Sequence, residues 1–180
     1  DPNEVRSTLA DRDKLSNDDY VMIILDPSND QRTAYAFGVN PLGQQTDGTI
    51  TDNVPDRKAA MPFSIDKNPD YVFDSKGRII DTGYIIEVKI PFKSLRYSSN
   101  ENQNWGFNVL RSIQHSRHLL SFTEAKLGEA SFLAQNSQLV NIKNINSKRL
   151  FDINPELRNA LNRPSDSQDF TSQTKDPLGV

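Results

Sequence analysis

Apolar and polar positions alternate along the first two thirds of the chain with the period of two expected of strands half buried in a sheet. Tyr20-Val21-Met22-Ile23-Ile24-Leu25 is an unbroken apolar run stopped by Asp26-Pro27-Ser28-Asn29-Asp30, which predicts a buried strand and a tight turn. In Arg32-Thr33-Ala34-Tyr35-Ala36-Phe37-Gly38-Val39 the residues Thr33, Tyr35, Phe37 and Val39 share a face, and Asn40-Pro41-Leu42-Gly43 closes the segment. These two runs predict a hairpin. Asp52 to Pro69 is rich in proline and aperiodic, so a long surface loop is expected there.

A meander is predicted next. Tyr71-Val72-Phe73-Asp74 reads as a strand, Ser75-Lys76-Gly77 as a turn, Arg78-Ile79-Ile80 as a second strand and Asp81-Thr82-Gly83 as a second turn. In the strand that follows, Tyr84, Ile86, Val88 and Ile90 line an apolar face, and Ile85, Glu87 and Lys89 a wetter one. Pro91 then permits one helical turn over Phe92 to Leu95. Trp105, Phe107 and Val109 share a face of another strand. Beyond Leu110 the pattern predicts short helices at Ser131 to Gln135 and Asn154 to Asn162, a short strand at Leu139 to Ile142, and a polar, aperiodic tail after Pro164. The sum is a mainly β chain, an antiparallel β-sandwich, with a mostly irregular C-terminal part.

Composition narrows the chemistry. The 180 residues carry a net charge of −3, and their basic residues are scattered among acidic ones, which argues against nucleic acid. The nearest approach to a basic patch is Asn146-Ser147-Lys148-Arg149. With no cysteine, disulfides, zinc-thiolate sites and thiol catalysis are excluded. No apolar run approaches the ~20 residues of a membrane-spanning helix. The opening Asp1-Pro2-Asn3 is turn chemistry without an initiator methionine or signal segment, so the expectation is a fragment of a longer protein.

Four segments carry a resemblance: Asp18-Asp19-Tyr20-Val21-Met22-Ile23-Ile24-Leu25-Asp26, Ala34 to Gly43, Gly83 to Leu95, and Trp105-Gly106-Phe107-Asn108. In order and spacing they resemble the family 9 carbohydrate-binding module-like domain, over roughly residues 15 to 112. More narrowly they resemble the version that precedes an outer-membrane β-barrel region of uncharacterised function in Gram-negative surface proteins. Gly128 to Ile145 resembles the connector into that barrel, with Asp176-Pro177-Leu178-Gly179-Val180 stopping short of the first barrel strands. The resemblance implies a jelly-roll-like sandwich lacking its first strands over residues 1–112, a connector over 113–163 and a flexible tail over 164–180. It also implies an oligosaccharide or polysaccharide partner, a role in carbohydrate catabolism, sometimes a calcium ion, and an address in the cell envelope, periplasmic or associated with the outer membrane. The barrel region of the same polypeptide would be the second partner.

A sugar site needs flat aromatic faces flanked by fixed polar groups. Aromatic residues make up only 8% of the chain and there is one tryptophan. Trp105 and Tyr35 alternate with apolar neighbours, which suits core packing as well as a platform; Tyr71 follows the long loop, which suits a ring exposed to a ligand and a packed one equally; Arg32 suits a fork onto hydroxyls or a solvated surface role. Among the N-terminal aspartates, Asp26 and Asp30 bracket a turn and form the candidate calcium pair, turn capping being the alternative. His115 and His118 stand three apart with Arg117 between them and read as surface residues. There is no Gly-x-Ser-x-Gly elbow, His-Glu-x-x-His or phosphate loop, and 24 acidic residues make any carboxylate pair uninformative, so no enzyme is expected. Two function classes stand: a glycan-binding module, and a structural cap or docking domain for a barrel. An accessory domain of an envelope glycosidase is a third.

Overall fold

The computed structural model describes residues 2–9, 11–51, 63–124, 126 and 131–145. Most of the long loop, the Lys148-Arg149 run, the helix expected at Asn154 to Asn162 and the tail lie outside them. The described residues all lie within one compact unit, Asp1–Arg149.

Among the described residues the fold is antiparallel β with three short 3-10 turns and no α-helix. The strands are β1 (Tyr20–Asp26), β2 (Thr33–Val39), β3 (Gln45–Thr51), β4 (Ser64–Asp66), β5 (Asp74–Ile80), β6 (Gly83–Lys89), β7 (Asn102–Ile113), β8 (His118–Ser121) and β9 (Ser137–Lys143). The large sheet runs β4-β3-β2-β1-β7-β8, and β9 pairs with the first half of β7 on the edge that β8 occupies further along. β5 and β6 form a separate two-stranded sheet.

β1 and β2 are central, and both their faces are covered, which is why their sequences are almost continuously apolar. Met22, Ile24, Ala34, Ala36 and Leu110 face a back core completed by Leu15, Ile50, Phe63, Phe132 and Leu133. Leu25, Phe37, Val39 and Trp105 face an inner core, against Ile86 and Val88 from the small sheet and Phe73, Ile90 and Leu95 from its flanks. Each such aliphatic or aromatic side chain, fully buried, contributes about 1.5–3 kcal/mol.

The predicted face of β6 is the one turned inward, with Ile85, Glu87 and Lys89 outside. The two-residue turn Asp81-Thr82 and the 3-10 turn at Phe92–Ser94 also form where expected. The meander differs. Ser75-Lys76-Gly77 is not a turn: Asp74 to Ile80 runs as one strand paired along its length with β6, and Tyr71 to Phe73 stays irregular. The glycine serves close approach instead. A Cβ on Gly77 would meet the carbonyl oxygen of Pro41, and the amide nitrogen of Gly43 at 2.7 Å. Ser75 Oγ donates to Gly43 O at 2.9 Å and Gln45 Nε2 donates to Phe73 O at 3.0 Å, so β5 is pinned over the β2–β3 turn.

The connector expected over 113–163 joins the large sheet: β9 forms around the strand expected at Leu139 to Ile142, a 3-10 turn at Leu133–Gln135 within the expected short helix, and β8, not foreseen, at His118–Ser121, while Phe132 and Leu133 enter the back core. β3 was not foreseen at all. Its inner positions are polar, and only the fold gives them partners.

Candidate functional site

Tyr35 and Tyr71 are brought together, edge to face at 4.9 Å, beside Phe37 and Phe73. Both rings are half-buried and both hydroxyls are engaged: Tyr71 Oη lies 2.8 Å from Thr49 Oγ1, and Tyr35 Oη accepts from the amide of Arg96 at 3.0 Å. Beside them Asp13, Asp47 and Asp70 place carboxylate oxygens within 4.8 Å of one another. A cation already belongs to this group. Arg12 donates from Nε to Asp47 Oδ1 at 2.9 Å, from Nη2 to the same oxygen and to Tyr71 O at 2.7 Å, and from Nη1 to Gln45 Oε1 at 3.2 Å. The other oxygen of Asp47 accepts from the amide of Tyr71 at 2.6 Å. Asp13 Oδ1 accepts from Thr46 Oγ1 at 2.9 Å and from the amide of Asp47 at 3.2 Å. The cluster is a brace that ties the N-terminal segment to β3 and to the approach to β5, with its hydrogen-bonding capacity turned on the protein itself. Sequence reasoning missed Arg12 and Asp47, which lie 35 residues apart.

Trp105 is 1% exposed, donates from Nε1 to Gln103 Oε1 at 2.9 Å, and is boxed by Phe92 and Tyr97. It is a core residue, and no ligand reaches its face. Arg32 is exposed at the start of β2, where its amide donates to Asp30 Oδ1 at 2.8 Å.

Asp30 Oδ1 also accepts from the amide of Thr33 at 3.2 Å, so this carboxylate caps its own turn. Asp26, at the end of β1, is 1% exposed; its Oδ2 accepts from the amide of Gln31 at 2.9 Å, and its Oδ1 has no partner. Burial pushes its pKa up; the Gln31 amide opposes this and the charge of Asp30 adds to it. The pair therefore offers a cation one orphaned carboxylate oxygen, with Asp30 occupied in capping. His115 lies 3.8 Å from Glu4, and His118 is exposed in β8, across the turn closed by Arg117.

A third place emerges from the mismatch in width between the sheets. β5 and β6 cover the inner face of β1 and β2, where Phe37 and Val39 are fully buried. Along β7 the inward-facing positions lose that cover in sequence order: Trp105 is buried, Phe107 and Val109 are half-buried, and Arg111 is exposed. In register beside Arg111 lies Leu120 of β8, 49% exposed. Phe122, 69% exposed, follows on, its amide donating to Val109 O at 2.8 Å and its ring 6.0 Å from that of Phe107.

Across from them, Tyr84 of β6 carries the Arg111 guanidinium over its ring at 5.2 Å. The Tyr84 hydroxyl is buried beside that guanidinium. Burial raises its pKa, and a hydrogen bond from Arg111, with its positive charge, pulls against that shift. Two aromatic faces, a guanidinium and open apolar surface thus converge, the combination that sugar rings require. Tyr84, Phe107, Phe122 and Arg111 were not among the predicted site residues. The signal available was Arg111 itself, a charge in an otherwise apolar alternation.

Comparison with known proteins was made on this geometry. Residues 1–115 match the family described as carbohydrate family 9 binding domain-like. A solved structure from Bacteroides uniformis ATCC 8492, of a protein given a proposed carbohydrate-binding role, aligns with a TM-score of 0.48 at 16% identity, covering 76% of this chain and 67% of that one. No curated protein matches.

Proposed function

The chain belongs to the carbohydrate family 9 binding domain-like family, and from that premise we propose that it is a non-catalytic glycan-binding module whose ligand lies on the open inner face of β7 and β8. The observation that carries this reading is the exposed Phe122 ring beside Phe107, opposite the Tyr84–Arg111 pair. An apolar ring exposed at 69% on a sheet face gains from burial against the C–H face of a sugar, and the flanking groups orient the hydroxyls. Isothermal titration against a panel of neutral and acidic oligosaccharides tests it. The wild-type chain binds at least one; Phe122→Ala removes that binding while melting at the same temperature, and Tyr71→Phe keeps it. Absence of binding across the panel overturns the proposal.

A second reading is favoured by the apolar character of the same surface, where Leu120 and Phe122 are both exposed. Here the domain is a cap or docking platform for an outer-membrane barrel of the same polypeptide, in the envelope of a Gram-negative bacterium. It predicts tight association with purified barrel segments and no glycan affinity.

A further inference from the structure

The alternation along β7 places Trp105, Phe107, Val109 and Arg111 on one face of the sheet. Three of the four positions are apolar and the fourth is a permanent cation. Its stem is flanked by Val21 on β1 and Leu120 on β8, its register partners. Its head lies over the Tyr84 ring. A guanidinium carries five N–H donors, so the contact with Tyr84 leaves others free, in the fork that matches a carboxylate.

No protein carboxylate fills that fork. Among the described residues Arg12 pairs with Asp47 and Asp70, whereas no acidic group lies within ion-pair distance of Arg111. Asp19, whose charge is felt by Tyr84, is buried and accepts from the amide of Gln114 at 2.7 Å. The open side chains of the face, Phe107, Val109, Leu120 and Phe122, offer no acceptor, and the Tyr84 hydroxyl is buried. A neutral sugar hydroxyl both donates and accepts, and is well held only where acceptors stand among the donors. A carboxylate only accepts, which is what a face with a donor fork and no acceptor suits.

Resting on the glycan-binding reading, we propose that the ligand is an acidic glycan, with Arg111 taking the carboxylate of a uronic acid residue and Phe122 and Phe107 taking the sugar face. The test uses the full chain and two sets of probes differing only in charge: oligomers of galacturonic, guluronic or glucuronic acid, and their methyl esters. Isothermal titration is run in low salt and in 0.5 M NaCl. The expected result is that at least one free acid binds about tenfold tighter than its ester, the scale of one charge-assisted contact. That margin shrinks in high salt and vanishes in Arg111→Gln, whose melting temperature is unchanged. Equal affinity for acid and ester, or binding of neutral oligosaccharides alone, overturns the acidic-glycan proposal and leaves glycan binding standing. No binding to any acidic or neutral sugar overturns both.

Discussion

Replacing Asp26 by asparagine tests the account of the buried turn at the end of β1. The carboxylate is 1% exposed, one oxygen accepts from the Gln31 amide, and the other has no donor. A buried polar atom without a partner costs about 1–3 kcal/mol, more if charged. Asparagine keeps an acceptor for Gln31 and removes the charge, but it brings two N–H donors that also lack partners. The net gain expected at pH 7 is therefore at the low end, about 1 kcal/mol, or about 2–4 °C in melting temperature for a chain of this size.

The pH dependence follows from the direction of the shift. Burial raises the folded pKa of Asp26 above its ordinary 3.8, so the native state holds the proton more tightly than the unfolded chain. That contribution is fully present below the unfolded pKa and is lost as pH rises through the folded value. The advantage of Asp26→Asn should thus be large at pH 7 and close to nil at pH 3.5. The assay is thermal unfolding of both proteins from pH 3.5 to 8, with EDTA and with 2 mM calcium. A variant no more stable than wild type in EDTA at pH 7 would refute the reasoning. If wild type gains stability from calcium and the variant does not, the orphaned oxygen is a cation ligand, and the candidate pair Asp26 and Asp30 is restored.

Two further expectations concern packing. Gly77→Ala places a methyl group against the Pro41 carbonyl and the Gly43 amide, both backbone, so the small sheet must shift; a loss of about 1–3 kcal/mol in urea unfolding is expected, and an unchanged midpoint would show that β5 does not sit this close. Trp105, the sole tryptophan, is sealed in the inner core, so its fluorescence should be blue-shifted, resistant to iodide quenching and unmoved by any bound glycan. A ligand-induced shift of that emission would contradict the assignment of the binding face to Phe122.

The strands β1, β2, β6 and β7 were legible because each buries a regular set of apolar residues, and burial of that kind writes its period into the sequence. β3 was not. Gln45 bonds to Ser75 and Asp47 to Arg12 and Tyr71, so its inner face is satisfied by polar groups 24 to 35 residues away. β5 was broken in two by its own turn residues, since Ser75 and Gly77 serve a contact between sheets that has no local signature. Tyr71 was marked as an aromatic residue after a loop and Tyr35 as one alternating with apolar neighbours, but nothing local showed that their hydroxyls meet Thr49 and the Arg96 amide.

From the order of its residues alone, this chain is a cysteine-free β protein with apolar-faced strands between Tyr20 and Arg111, since strand period and turn chemistry are properties of neighbours. Which aromatic residue ends in the core and which at the surface was decided only in three dimensions. Trp105 and Phe107 stand two residues apart on one face, and what separates them is the segment after β6, whose Phe92 and Tyr97 close over Trp105. The open face, with Arg111 over Tyr84, exists because two strands cannot cover seven, and the width of a sheet is set by pairing between distant segments.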